Sequence, residues 1–301
     1  MRVTLMHNPN AGGGDLTRDD LVRMVVEAGH SITYQSTRER GYESALQKPG
    51  DVVLVAGGDG TVRKVAGLLL GRGIPMALLP LGTANNVSRS LDLSTSIQTA
   101  ISRIATAPHR QFDAGIAKGA WGETHFLEGV GVGLFPVTMC LAESRSDNRE
   151  ARDDHHDRGI TRDLRYLQAV LRRMPPKTWQ IEADGKNLSG EYYLCEVMNI
   201  ASIGPNLRLA PEADPADGRL DLVLVGESDR PRLRGYLADR VAGRDAELNL
   251  PTLRAERVTI MAAGAEVHID DRLEHPHTKP SAMGGLVELT VGEGTVDFLL
   301  V

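Results

Sequence analysis

The sequence predicts an α/β domain built on a parallel sheet, followed by a second domain that is all-β and antiparallel. Three observations carry that expectation. In the first third, short apolar runs alternate with stretches of helical period, an order that builds parallel sheets. One run, Val52-Val53-Leu54-Val55-Ala56, is apolar throughout, as a strand covered on both faces requires. From Gln111-Phe112-Asp113 to about residue 290 the segments shorten, gain glycine and alternate apolar with polar. At 301 residues the chain can bury two sizeable cores.

Taken in order, Val3 to Met6 is a first strand, broken by Asn8-Pro9-Asn10-Ala11-Gly12-Gly13-Gly14. Thr17 with Asp20 has the spacing of a capping box, and Leu21, Val22, Val25 and Ala28 then recur at helical spacing. Ile32 to Tyr34 is a second strand and Val52 to Ala56 a third. Val62, Val65, Ala66 and Leu69 form a helical stripe, and Ile74 to Leu79 a buried strand. In the second domain, Val267 and Ile269 face one way while Glu266, His268 and Asp270 face the other. One helical insertion is expected from Asp163 to Met174, on Leu164, Leu167, Val170 and Leu171. Ser144 to Arg162 reads as a solvated loop; a metal site at Asp153-Asp154-His155-His156-Asp157 is the other reading.

Composition narrows the function classes. A net charge of −6 and only 4% aromatic residues speak against general binding to nucleic acid. Cys140 and Cys195, far apart in apolar settings, read as reduced thiols rather than a disulfide framework. The opening residues do not have the form of a signal peptide, and no apolar stretch reaches the roughly 20 residues that span a bilayer. A cytoplasmic protein is the expectation, with a homodimer neither required nor excluded.

The residues that point to chemistry are glycine turns. Gly57-Gly58-Asp59-Gly60-Thr61 lies between a buried strand and a helix, where backbone N–H groups and the helix end can hold a phosphate. Thr61 would add a hydroxyl, and Asp59 an acceptor for a magnesium-bound water or a nucleotide hydroxyl. The turn is neither a Walker loop nor a dinucleotide fingerprint. A second turn, Leu79-Pro80-Leu81-Gly82-Thr83-Ala84-Asn85-Asn86, follows the next strand. In a parallel sheet both would open on the same edge as the Asn8–Gly14 loop, the edge where α/β ligands bind. Ligand-free tight turns are the other explanation of the same residues.

Gly57-Gly58-Asp59-Gly60-Thr61 resembles the Gly-Gly-Asp-Gly-Thr signature of the diacylglycerol, sphingosine and NAD kinase superfamily. Leu79 to Asn86 resembles the second signature of its lipid kinase branch, and Asn8-Pro9-Asn10-Ala11-Gly12 that branch's first loop. Leu209 to Asp221 is similar to its Ala-Pro-x-Ala-x-x-x-Asp-Gly-x-Leu-Asp stretch. The matches span nearly the whole chain in order. The resemblance implies an NAD kinase-like nucleotide-binding domain over 1–112, and a β-sandwich-like lipid-substrate domain over 113–286. It also implies that 287–301 returns to the first domain and that the active site lies in a cleft between the two. By match of position, Gly57, Gly58, Asp59, Gly60, Thr61, Val62 and Arg63 hold ATP phosphates, with Asn8, Thr37, Thr83 and Asn85 assisting. Asp214, Asp217 and the carbonyl of Arg219 match a magnesium site; Asp-Pro and Asp-Gly are also ordinary turn dipeptides.

The implied activity is transfer of the ATP γ-phosphoryl group to a lipid hydroxyl such as that of diacylglycerol. The family takes its proton acceptor from an Asp-Gly-Glu turn, here Asp270-Asp271-Arg272. Arg272 stays protonated and cannot be a base. Asp270 is the expected base and Asp271 the alternative. Arg165, Arg172, Arg173 and Lys177, beside an apolar stripe, could rest on a membrane surface or simply face solvent. Two rival readings remain. An NAD kinase-like enzyme is disfavoured by Leu79–Asn86, and a catalytically silent nucleotide- or lipid-binding regulatory protein is favoured by Arg272.

Overall fold

The computed structural model describes residues 1–14, 16–93, 95–146, 156–274 and 284–301. Contacts divide the chain into two units, Met1–Ala114 with Glu293–Val301, and Gly115–Gly292.

Unit 1 is built on four parallel strands: β1 (Arg2–His7), β2 (Ser31–Ser36), β3 (Val52–Gly57) and β4 (Met76–Pro80), in the order β2-β1-β3-β4. At the outer side of β4, Phe298 pairs in parallel with Met76. Helix α1 (Arg18–Glu27) follows β1, α2 (Asp59–Leu69) follows β3, and α3 (Asn86–Ser90) and α4 (Ile97–Arg103) follow β4 in turn. Every residue of β3 is buried, as its unbroken apolar run requires. Leu21 and Val25 of α1, with Ala100 and Ile101 of α4, pack on Val3, Leu5, Val52 and Leu54. The Thr17–Asp20 capping box is formed in full and sets the start of α1.

Strand β5 (His109–Gly119) leads into unit 2. There β6 (Gly122–Phe126), β7 (Gly129–Gly133), α5 (Leu134–Ser146) and α6 (His156–Arg173) follow. Next come β8 (Lys177–Ala183), β9 (Lys186–Asn187), β10 (Gly190–Tyr192), β11 (Leu194–Met198), β12 (Ser202–Ile203), β13 (Leu207–Arg208) and β14 (Leu220–Val225). Helix α7 (Arg230–Val241), β15 (Thr252–Ala255), β16 (Arg257–Met261), β17 (Val267–Ile269), β18 (Arg272–Glu274) and β19 (Leu286–Leu299) complete the chain. One antiparallel sheet runs β15-β14-β11-β7-β17-β18; β10, β8, β16 and the first half of β19 form a second. Between them lies a core of Trp179, Ile181, Val258 and Val287 on Val130, Val197, Leu222 and Ile269.

The all-β expectation is right for the sheets and too simple for the unit. The other face of the first sheet is covered by α5, α6 and α7, which bury Leu164, Leu171, Leu233 and Leu237 on Leu194, Val223 and Val225. The expected helix at Asp163 begins earlier, at His156. Helix flanks both ends of the charged stretch expected to be a loop; Asp153, Asp154 and His155 lie outside the described residues. Cys195 is buried and Cys140 half-buried, both as free thiols.

Candidate functional site

Because the strands of unit 1 run parallel, the loops after β1, β3 and β4 and residue Thr37 after β2 all open at one edge of the sheet. They are fastened by main-chain contacts. Asn8 N–H donates to the Ala56 carbonyl at 2.9 Å, Leu81 N–H to that of Gly57 at 2.9 Å, and Thr37 N–H to that of His7 at 2.8 Å. The Asn8 side-chain amide donates to Thr61 Oγ1 at 3.3 Å. Gly58 and Gly82 meet backbone to backbone. A Cβ on Gly82 would stand 2.4 Å from the Gly58 Cα, a separation that real side chains do not tolerate.

Side chains complete the edge. Asn85, in the left-handed region at φ 52, accepts from Gly82 N–H at 2.9 Å and donates to the Gly82 carbonyl at 2.8 Å, closing the second turn on itself. Asp59 Oδ1 accepts from Val87 N–H at 3.1 Å, joining the start of α2 to α3. The N-cap of α2 is Gly58, which offers no capping side chain, so the helix end keeps its positive character toward the edge. Of the residues expected to bind nucleotide, Val62 has its side chain in the core and its N–H on the Gly58 carbonyl, and Thr83 is exposed. His7 escaped the sequence reading. It is buried at the same strand end, hydrogen-bonded to the Tyr34 hydroxyl at 3.1 Å, and burial lowers its pKa.

In unit 2, Asp270, the base expected from sequence, is held inside the fold. It is 7% exposed, at φ 50, and its carboxylate accepts from three backbone N–H groups. Oδ1 takes Glu128 at 2.8 Å and Gly129 at 3.1 Å; Oδ2 takes Leu127 at 3.0 Å. With Asp270 N–H on the Gly129 carbonyl at 2.8 Å, this ties the β17–β18 turn to the start of β7. Asp271, one residue on, is exposed, and Arg272 donates to Thr124 Oγ1 at 3.0 Å.

Beneath the turn lies a buried ionisable pair that periodicity assigned to a polar face. His268 Nε2 is 2.7 Å from Glu196 Oε2, and His268 Nδ1 is 3.2 Å from the Asp270 carbonyl. Both side chains are buried to within 1%. Gly131 makes the room, since a Cβ there would fall 2.2 Å from the Glu196 carboxylate. Burial raises the pKa of Glu196. Burial opposes charge on His268, but the Glu196 carboxylate and the Asp270 carbonyl outweigh it and hold the imidazole above its usual value. No single feature of the sequence announces this pair, because its members come from strands 72 residues apart.

The expected magnesium ligands adopt turn geometry. Asp214 Oδ1 accepts from Ala216 N–H at 3.1 Å and Asp217 Oδ1 from Arg219 N–H at 3.0 Å. Arg254 lies 3.7 Å from the other Asp217 oxygen. Among the described residues no group of three histidine, cysteine or carboxylate side chains is placed to hold a metal ion. Each aspartate thus spends one carboxylate oxygen on its own turn.

A parallel sheet with glycine turns on one edge, carried with an antiparallel sandwich, defines the NAD kinase-like fold. An NAD kinase of Archaeoglobus fulgidus, solved in complex with ATP, is similar at a TM-score of 0.58 and 12% identity, over 99% of this chain and 93% of that one. A diacylglycerol kinase structure from Bacillus anthracis is similar at 0.71 and 22% identity, over 99% and 96%. Residues 2–117 match the diacylglycerol kinase catalytic domain, and 146–280 the YegS C-terminal NAD kinase beta sandwich-like domain. The chain belongs to the diacylglycerol kinase catalytic-domain family. A diacylglycerol kinase of Mycobacterium tuberculosis is 28% identical over 290 residues, 89% of this chain and 88% of that protein. One of Bacillus subtilis is 24% identical over 243 residues, 76% and 75%.

Proposed function

We propose that this protein transfers the γ-phosphoryl group of ATP to the hydroxyl of a diacylglycerol-like lipid. The observation that carries the reading is the α2 N-terminus, uncapped and fronted by Gly58 and Gly82 in backbone contact. Phosphoryl transfer asks mainly for positioning and charge neutralisation. Main-chain N–H groups at Gly58–Gly60 with the helix dipole supply both to a polyphosphate, and Arg63 adds a cation. Asn8 and Thr61 fix the first turn, and Asn85 the second; Thr37 and Thr83 offer hydroxyls. ATP enters as its magnesium complex, a substrate rather than a resident metal.

The attacking hydroxyl must lose its proton. Asp270 spends its oxygens on Leu127, Glu128 and Gly129, so we assign it to positioning the turn. Asp271, exposed on that turn, is the proton acceptor in this reading. The test is label transfer from ATP to a panel of detergent-dispersed lipids. Transfer to one lipid, reduced about 10²–10⁴-fold in Asp271→Asn, is expected for loss of a general base. Full transfer in that variant would move the base elsewhere. ATP binding without transfer to any lipid would instead favour the silent regulatory protein, for which Arg272 in place of a family glutamate is the supporting feature.

A further inference from the structure

A lipid kinase has to meet its acceptor at a bilayer, and the described chain has no helix long and apolar enough to cross one. The helical face of unit 2 carries the charge for that meeting. Helices α6 and α7 pack against each other with their apolar residues turned to the sheet. Their outward faces leave an open groove of about 330 Å³, lined by Gln168, Arg172, Pro231, Arg234, Gly235 and Ala238. Gly235 and Ala238 keep side-chain bulk out of it, and Arg172 and Arg234 are exposed.

Two sets of arginines stand apart on and beside these helices. Arg162 and Arg232 are each paired, with Asp163 and Asp229, and Arg244 just beyond α7 pairs with Asp239. Arg165, Arg172, Arg173 and Arg234 are exposed and have no ion pair or side-chain hydrogen bond among the described residues. On a chain of net charge −6, such a cluster is a local reversal of sign. The groove is also preformed. Arg230 donates to the carbonyls of Leu171 and Arg172 at 3.1 and 3.3 Å and lies 4.5 Å over the Tyr193 ring, latching the end of α6 to the start of α7. The large apolar side chains exposed among the described residues, Met1, Val26 and Leu68, all belong to unit 1. This face therefore offers charge without an apolar wedge.

We propose that the α6–α7 face docks the protein on an anionic membrane, with a lipid headgroup phosphate seated in the groove beside Arg172 and Arg234. The choice of a bilayer as occupant rests on the lipid kinase reading. Docking of this kind is electrostatic and weakens as salt screens it.

The test is co-sedimentation of the full chain with vesicles, without nucleotide, so that failed phosphoryl transfer cannot affect the readout. Phosphatidylglycerol–phosphatidylcholine vesicles are compared with pure phosphatidylcholine, at low and high salt. Each arginine near an anionic surface is worth about fivefold in binding. Arg172→Ala with Arg234→Ala should therefore weaken binding to the anionic vesicles by more than about tenfold. Lys48→Ala with Arg103→Ala, an equal change of charge on unit 1, should leave it nearly intact. Equal losses in both pairs would reduce the effect to net charge and overturn the proposal. So would wild-type binding indifferent to phosphatidylglycerol, or an unaffected groove variant.

Discussion

The strand-end edge of unit 1 and the β17–β18 turn of unit 2 both set aspartates in tight turns, yet work in opposite ways. At the edge the chemistry is main-chain: N–H groups, a helix end, and glycines that let two turns touch. At the turn it is side-chain, and the first aspartate is consumed by the fold. Asp59 and Asp270 make the contrast plain. Asp59 accepts from the Val87 N–H of the adjoining turn, whereas Asp270 accepts three N–H groups from a strand start more than 140 residues away in sequence. A site made of backbone is written locally; a site made of side chains depends on what the rest of the fold brings against it.

The comparison is sharpest in the neighbouring aspartates. Asp271→Asn should abolish most transfer while leaving the denaturation midpoint unchanged. Asp270→Asn should do the reverse first. The amide keeps one acceptor oxygen and turns an N–H₂ toward a buried donor, costing about 3 kcal/mol. Urea denaturation with a midpoint unmoved by Asp270→Asn would break the assignment of that residue to positioning. On the other region, Gly82→Ala places a methyl 2.4 Å from the Gly58 Cα, and the turns must separate. A displacement near 1 Å costs on the order of 10²-fold in rate. Because the change is to backbone spacing, ATP affinity should fall along with turnover. Titration calorimetry showing unchanged ATP binding in Gly82→Ala would mean that the two turns do not act together.

Most of unit 1 was legible from sequence because its signals are local. The apolar run of β3, the stripe Val62–Val65–Leu69 and the Thr17–Asp20 box each specify their own element. Unit 2 was legible in its strands but not in its covering layer. Helix α7 buries only Leu233, Tyr236 and Leu237 among arginines, a stripe too narrow to stand out, and Pro136 disguises the first turn of α5. The alternation of β17 was read correctly, but it said nothing of the exposure of either face. His268 and Asp270 do point opposite to Val267 and Ile269, but α5 covers that side with Phe135, whose ring centroid is 5.5 Å from that of His268. Alternation alone cannot tell a solvated face from one roofed by a helix.

That roofed face supplies the smallest and most discriminating effect. Both nitrogens of His268 meet acceptors, Glu196 Oε2 and the Asp270 carbonyl, and only a doubly protonated ring can donate to both at once. The folded pair holds its protons more tightly than the unfolded chain does. Stability should therefore be greatest in weak acid, below the usual histidine range, and fall as pH rises through the raised value of His268. The loss is about 1.4 kcal/mol for every tenfold gain in proton affinity. Glu196→Gln keeps a hydrogen-bonding side chain but removes the charge, leaving burial, the largest influence on His268, opposed only by Asp270. A buried histidine without a carboxylate has a lowered pKa, so the unfolded chain then binds the extra proton, and this contribution to stability should rise with pH rather than fall. Melting temperatures of the two proteins from weak acid upward check the sign. Parallel curves would mean that the pair sits neutral in the fold, and that the turn carrying Asp271 is held by the Asp270 carboxylate without help from an imidazolium beneath it.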